Sequence, residues 1–340
     1  MLPTREGAEG RPVRLGVLGC ADIAWRRVLP AAAMASSITV TAVASRDPGK
    51  ALAFAERFDC EAVTGYETLL DRDDIDAVYV PLPVGIRHVW VEAALRRGLH
   101  VLSEKPLTTD GASAAHLVQE ADRLGLTLME DFAFRHHSQH REVMRLVEEG
   151  AIGTVRSLMC EFGVPERAAD DIRYSSALGG GALLDVGVYP LGIAQALLGD
   201  DLRVVGASLS FGRGVDLGGG MLLEAPGGEN ARLGFGLGVG YRNTYTLWGE
   251  KGSLTVDRAF TPPKDFAPLV FLENGSGARR VDLEPDHQFL NLLEAFADGV
   301  RGGAPVSTAP ILTLASLVDR VRAASALPPG RASTVSRPGR

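Results

Sequence analysis

Lys105 stands near the start of the segment "EKPLTTD", and Asp185 and Tyr189 lie four residues apart in "GGGALLDVGVYP". An ammonium, a carboxylate and a phenol brought together can deliver a proton to an oxygen that is gaining negative charge. A phenol with a pKa near ~10 is a far stronger acid than an alcohol. A neighbouring cation favours its phenolate and lowers that value toward working pH. Tyr189 is therefore the candidate general acid, Lys105 its electrostatic partner and a hydrogen-bond donor to the reacting oxygen. Asp185 would orient the lysine or a substrate hydroxyl. Positions four apart share a helical face, so Asp185 and Tyr189 can point into one cleft. Pro190 disfavours helical geometry at Tyr189, so the helix either kinks or restarts there. The competing reading packs Tyr189 in the core with its hydroxyl satisfied locally.

A second stretch, "VRLGVLGCADIAWRR", reads as a strand running through a tight turn into a helix. Aligned on a dinucleotide-binding turn it gives Gly19-Cys20-Ala21-Asp22-Ile23-Ala24, with alanine at two of the three glycine places. Backbone N–H groups from Asp22 through Ile23, Ala24, Trp25 and Arg26 to Arg27 would face a pyrophosphate. The next strand, "ITVTAVAS", ends at Ser45-Arg46, where an arginine suits the 2′-phosphate of NADP better than the 2′-hydroxyl of NAD. Asp47 follows and leaves that preference inferred. Tyr66 and Leu82 follow other strands and could line the nucleotide cleft.

Those residues need a scaffold. Up to about Glu130, β-branched runs alternate with helical patterns at 48–58, 86–97 and 111–124, as in βαβ units on a parallel sheet. From about Val155, strand-like runs follow one another ("TVRSLMCEFGV", "LRVVGASLSFG", "GGMLLEA", "ARLGFGLGVG", "NTYTLWG", "GSLTVDRAF", "PLVFLE"), as in an antiparallel or mixed sheet. Helical patterns at about 182–198, 286–301 and 309–326 complete the chain. The expected fold is α/β: a doubly wound parallel sheet over 12–133, an open-faced, mostly antiparallel sheet over 134–327, and loose tails at 1–11 and 328–340. The 340 residues are 46% hydrophobic and 23% charged, enough for two cores. A net charge of −7 argues against a nucleic-acid partner. Three cysteines without metal spacing suit a reducing, cytoplasmic setting. No secretory signal is visible at the N-terminus. No apolar run approaches the ~20 residues of a membrane span. His136, His137 and His140 in "RHHSQH" lack carboxylates at ligand spacing, so no metal is expected.

The order "EKPL", "MEDFAFRHHSQ", "GGGALLDVGVYP" after a glycine-poor turn resembles the oxidoreductase family of glucose-fructose oxidoreductase and inositol dehydrogenase. Within it, "GCADIAWRRVLPA", "DAVYVPLP", "DIRY" and "MEDFAFRHHSQHR" look like the NDP-hexose 3-ketoreductases of deoxysugar biosynthesis. The resemblance implies NADPH as cofactor and a TDP-linked keto-deoxysugar as substrate. It carries the family lysine onto Lys105, the tyrosine onto Tyr189, and brings Arg173 of "DIRY" back to the cofactor site. Candidate substrate donors are Arg26, Tyr241, Arg242 and Thr261. One departure stands out. Where the family commonly has Asn and then His, this chain has Val84 and Arg87, with His88 one step on. Either Arg87 covers the cofactor in place of a histidine, or the position is tolerant. Glycine-rich strands of the second sheet suggest a homodimer or homotetramer. A dehydrogenase of free sugars or dihydrodiols, and a sensor that has lost catalysis, are the competing functions.

Overall fold

The computed structural model describes residues 10–326. The tail expected at 328–340 and most of that at 1–11 lie outside them. Arg11 is within, and its guanidinium donates to Asp76 at 3.0 Å.

The first sheet is formed by β1 (Val13–Leu18), β2 (Ile38–Ser45), β3 (Glu61–Thr64), β4 (Ala77–Val80), β5 (His100–Glu104) and β6 (Leu128–Asp131). All pairings are parallel, in the order β3-β2-β1-β4-β5-β6. The order reverses beside β1, which places a crevice at the carboxyl ends of β1 and β4. The helices around this sheet are α1 (Leu29–Ala32), α2 (Pro48–Phe58), α3 (Tyr66–Leu70), α4 (Val84–Arg96) and α5 (Gly111–Leu124). Local chemistry sets α2 and α5. Asp47 accepts from the Gly49 and Lys50 N–H groups, and Asp110 from that of Ser113, so each helix has a side-chain N-cap. Left-handed Asp59 and Gly125 close the other ends.

After α6 (Ser138–Glu148) the chain enters the second sheet. Its strands are β7 (Val155–Val164), β8 (Arg203–Gly212), β9 (Val215–Glu224), β10 (Asn230–Leu237), β11 (Arg242–Gly249), β12 (Gly252–Asp257), β13 (Leu269–Asn274) and β14 (Gly277–Val281). The order is β14-β13-β12-β11-β7-β10-β9-β8, antiparallel except for the β7–β10 pair. One face packs on a π-turn at Leu183–Gly187 and on α7 (Val188–Leu198). The other face is open.

The chain closes with α8 (Gln288–Val300) and α9 (Ala309–Ser325). Leu292, Leu293, Phe296 and Ala297 of α8 join the core of β1 and β2. The end of the chain thus straps the first sheet as well as the second. The stretch Ser176–Leu198, 23 residues, is long and apolar enough to cross a membrane by length and composition, with Gly179 and Gly181 at positive φ interrupting it ahead of the helix that carries Tyr189. This corrects the expectation that no such run exists. Most of it is buried, because it is the central helix of the second core.

Candidate active site

A cleft of about 460 Å³ opens between the carboxyl ends of β1, β4, β5 and β6 and the helix that carries Tyr189. Lys105 follows β5 directly, before a cis Lys105–Pro106 peptide. Its Nζ donates to the Asp185 carbonyl oxygen and lies 3.6 Å from the Asp185 carboxylate. The same nitrogen stands 4.7 Å from the centre of the Tyr189 ring, a favourable cation–π approach. Arg173 donates to the other Asp185 oxygen at 2.6 Å and also holds Asp171. Burial alone would raise the Asp185 carboxyl. Lys105 and Arg173 outweigh it and keep the group below the usual carboxylate range. Burial lowers the Lys105 ammonium from its ordinary value, against Asp185 and Glu104.

Tyr189 is clasped by aromatic rings. Phe132 stacks at 5.3 Å, Phe162 meets it edge-on at 4.9 Å, and Phe260 lies at 5.3 Å. Burial, reinforced by Glu104, Asp185 and Asp131, pushes the phenol well above its ordinary value. The expectation that Lys105 lowers it toward working pH is thereby corrected. The ammonium lies over the ring face with its charge engaged by Asp185, while the surrounding carboxylates oppose a phenolate. The phenol is held in its protonated form, the form a proton donor needs.

The opening turn fits a dinucleotide. Gly19 has φ +128°, and a Cβ there would lie 2.8 Å from Leu82 Cδ2, so only glycine lets the turn close against the end of β4. Ala21, Asp22, Ile23, Arg26, Arg27 and Leu82 line the cleft. Asp22 and Arg26 form an exposed ion pair. The Cys20 thiol leans toward Ser45, and Ala24 is buried. Trp25 turns away from the cleft, packing 4.8 Å from Phe54 under the Arg57 guanidinium. Ser45 accepts from the Asp47 N–H at 3.1 Å, and Arg46 is exposed beside it. Because Asp47 caps α2, its carboxylate is drawn to the helix.

The sequence matches two family descriptions: "Oxidoreductase family, NAD-binding Rossmann fold" over 13–132 and "GFO/IDH/MocA C-terminal domain" over 140–255. The chain belongs to this oxidoreductase family. It is 49% identical over 330 residues to a dTDP-3,4-didehydro-2,6-dideoxy-alpha-D-glucose 3-reductase from Streptomyces violaceoruber, covering 93% of this chain and 96% of that one. The fold is similar to that of the 3-ketoreductase KijD10 from Actinomadura kijaniata solved with NADP and TDP-benzene, with TM-score 0.90, 47% identity, and coverage of 92% and 98%. An aldose-aldose oxidoreductase from Caulobacter crescentus is more distant, at 26% identity and TM-score 0.86 over 93% and 98% of the chains.

Several expected site residues of this family member stand elsewhere. Arg87 is 5% exposed and donates to the carbonyls of Leu82, Glu104 and Pro106. It borders the cleft and acts there as a strut that fixes the lysine turn to the end of β4, with its N–H groups spent on carbonyls. His88, on the next helical position, is exposed and outside the cleft lining. Tyr66 is buried against Trp90, centroids 4.9 Å apart. Arg242 pairs with Glu161 at 2.7 Å on the open face of the second sheet, away from the cleft, because alternate residues of β11 face opposite sides. Tyr241 and Thr261 do line the cleft, and Asn243 bonds both hydroxyls at 2.9 Å. The histidines are structural. His140 lies 3.0 Å from the Tyr245 hydroxyl and 2.9 Å from the Ala259 carbonyl, and burial pushes its pKa down to about 3. His136 is pushed down to about 4, chiefly by burial and then by Arg135. His137 is fully buried and accepts from the Gln139 N–H. Among the described residues no group of three His, Cys, Asp or Glu could hold a metal.

Sequence reasoning passed over two features. Gly85 opens α4 against the backbone of Leu178 and Gly179, where a Cβ would fall 2.6 Å from a carbonyl carbon. This contact docks the glycine-rich turn of the second domain on the first. Glu104 and Asp131 also line the cleft floor at the ends of adjacent strands. Their signal in the sequence was an acid at the end of each of two consecutive strand patterns.

Proposed function

We propose that the chain is an NADPH-dependent reductase of the C3 carbonyl of a TDP-linked keto-deoxysugar, with Tyr189 as general acid. The observation that carries the reading is the approach of Lys105 to the ring of a protonated Tyr189 at the mouth of a dinucleotide turn. Bound NADPH supplies the hydride. The chain's own residues do the rest. Tyr189 gives its proton to the oxygen that gains charge, and Lys105 stabilises that charge in a site poor in water. Asp185, held between Lys105 and Arg173, fixes the ammonium in place. The first backbone N–H groups of this turn, at Asp22, Ile23 and Ala24, bind the pyrophosphate; that of Trp25 is spent on the Ala21 carbonyl. Arg46 takes the 2′-phosphate, since the neighbouring Asp47 is engaged as a cap. Arg26, Tyr241 and Thr261 reach the nucleotide sugar.

Turnover with a TDP-ketosugar and NADPH, against free xylose or glucose with NADP, tests the reading. We expect activity with the first and little with the second. The reverse would favour a free-sugar dehydrogenase, and dinucleotide binding without turnover on either would favour a sensor.

The open sheet face supports a homo-oligomer. Met159, Leu222, Trp248 and Phe271 are exposed there, on one side by strand register. A second copy is the occupant, since the face also carries both signs of charge, Arg232 and the Arg242–Glu161 pair. Light scattering should give a multiple of the chain mass, reduced by Trp248→Glu; a concentration-independent monomer would overturn it. Three free thiols fit a cytoplasmic enzyme.

A further inference from the structure

We propose that Asp131 and Glu104 hold one proton between their carboxyl groups and return it to Tyr189 after each reduction. The inference rests on Tyr189 as the acid.

Four observations meet at this pair. Glu104 and Asp131 are register partners on the parallel strands β5 and β6, so their side chains lie side by side at strand spacing. Both are nearly inaccessible, 8% and 4% exposed, yet both border the cleft. Neither Asp131 oxygen receives a side-chain hydrogen bond, and the Ala133 N–H is the one backbone donor that acts on it. The side chain that stands beside it is the Glu104 carboxyl. Two carboxyl groups in contact in a dry site do not both ionise. A shared proton makes one of them a donor to the other and supplies the side-chain hydrogen bond that Asp131 otherwise lacks. Burial and Glu104 accordingly raise the Asp131 carboxyl well above its ordinary value.

The surroundings anchor the pair. The buried Tyr79 hydroxyl donates to Glu104 at 2.7 Å, and Arg87 holds the Glu104 carbonyl at 2.9 Å. Lys105 follows Glu104 directly, and Phe132, next to Asp131, stacks on the Tyr189 ring. Glu130 turns to the Leu107 N–H at 2.7 Å. Glu104, Asp131 and Tyr189 border the same cleft, and the two carboxyl groups raise the phenol through their charge.

Ketone reduction consumes one proton per turnover. The Tyr189 O–H bond breaks as the sugar O–H bond forms, leaving a phenolate. The proton of the acid pair then moves to that phenolate, and the pair is briefly doubly negative beside the Lys105 ammonium. Water returns the missing proton when product leaves. No oxidation or reduction accompanies these transfers.

The test is Asp131→Asn, which keeps the shape but carries no acidic proton. In rapid mixing of enzyme, NADPH and a TDP-ketosugar, the first turnover should match the wild type, and later ones should be about 100-fold slower, at the lower end of what a proton-transfer group contributes. A burst of one NADPH oxidised per site should therefore appear, with a larger solvent deuterium effect on the steady state. Unchanged steady-state rate and isotope effect would overturn the proposal. So would a first turnover slowed as much as the rest, since Asp131 would then be a positioning residue. NADPH titration and thermal melting show whether the variant is folded; if it is not, Glu104→Gln takes its place in the same experiment. Tyr189→Phe separately tests the reading beneath: near-normal turnover there removes the phenol the pair would serve, whatever Asp131→Asn does.

Discussion

The helix after β1 and the helix that carries Tyr189 both open with a π-turn, Ala24–Val28 and Leu183–Gly187, and each has a proline just beyond, Pro30 and Pro190. The common cause is steric. Proline brings no N–H to the residue four places back, and its ring crowds that carbonyl. Those residues are Arg26 and Val186, both inside the widened turns, and π-turns of this kind recur at functional sites. The two entrances differ in what occupies their free N–H groups. At Leu183 the N–H donates to Asp216 Oδ2 at 2.6 Å, a cap supplied by β9. Ala24–Val28 has no side-chain cap. One end is closed by the protein's own carboxylate and presents side chains, Asp185 and Tyr189. The other is left open and presents backbone donors to an anion.

The comparison can be broken at the side-chain entrance first. Tyr189→Phe should lower turnover by ~10²–10⁴-fold with NADPH affinity retained. Because burial and nearby carboxylates raise the phenol, its acid form persists up to its ordinary pKa near ~10, and the wild-type rate should show no fall from tyrosine ionisation below that pH. A tyrosine-like pKa below it in the profile would contradict the site's electrostatics. Next comes the backbone entrance. Gly19→Val drives a side chain into Leu82 and cannot keep the positive φ, so the NADPH dissociation constant should rise about 5- to 150-fold, as ~1–3 kcal/mol of overpacking implies. Unchanged binding by fluorescence titration would disconnect the turn from the cofactor. The smallest effect sharpens the contrast. Asp216→Ala uncaps the second helix and should cost about 0.5–2 kcal/mol in a melt. Turnover should fall a few-fold while NADPH affinity stays put. Weakened NADPH binding would show that the two entrances are not separate devices.

How much of this was legible depended on whether the signal was local. α2 and α5 begin and end where the pattern placed them, since their caps, Asp47 and Asp110, stand in the adjacent sequence. α6 was missed because Val143 and Leu146 are sparse among charged residues. β14 was missed because "GARRV" at the edge of the sheet is exposed on nearly every residue and shows no alternation. Arg242 was misplaced into the cleft since sequence gives a strand but not which of its faces meets the other domain.

By itself the sequence determined the two textures of the chain, the glycine that must turn after β1, and the residue types able to donate a proton. These follow from steric and acid–base properties that each residue carries with it. Tertiary structure alone decided that Lys105 lies over the ring of Tyr189, that Arg87 braces a loop, and that Asp131 and Glu104 are buried side by side. Charge, burial and hydrogen-bonding partners are properties of neighbourhoods, and residues eighty positions apart become neighbours only when the two sheets close on one cleft.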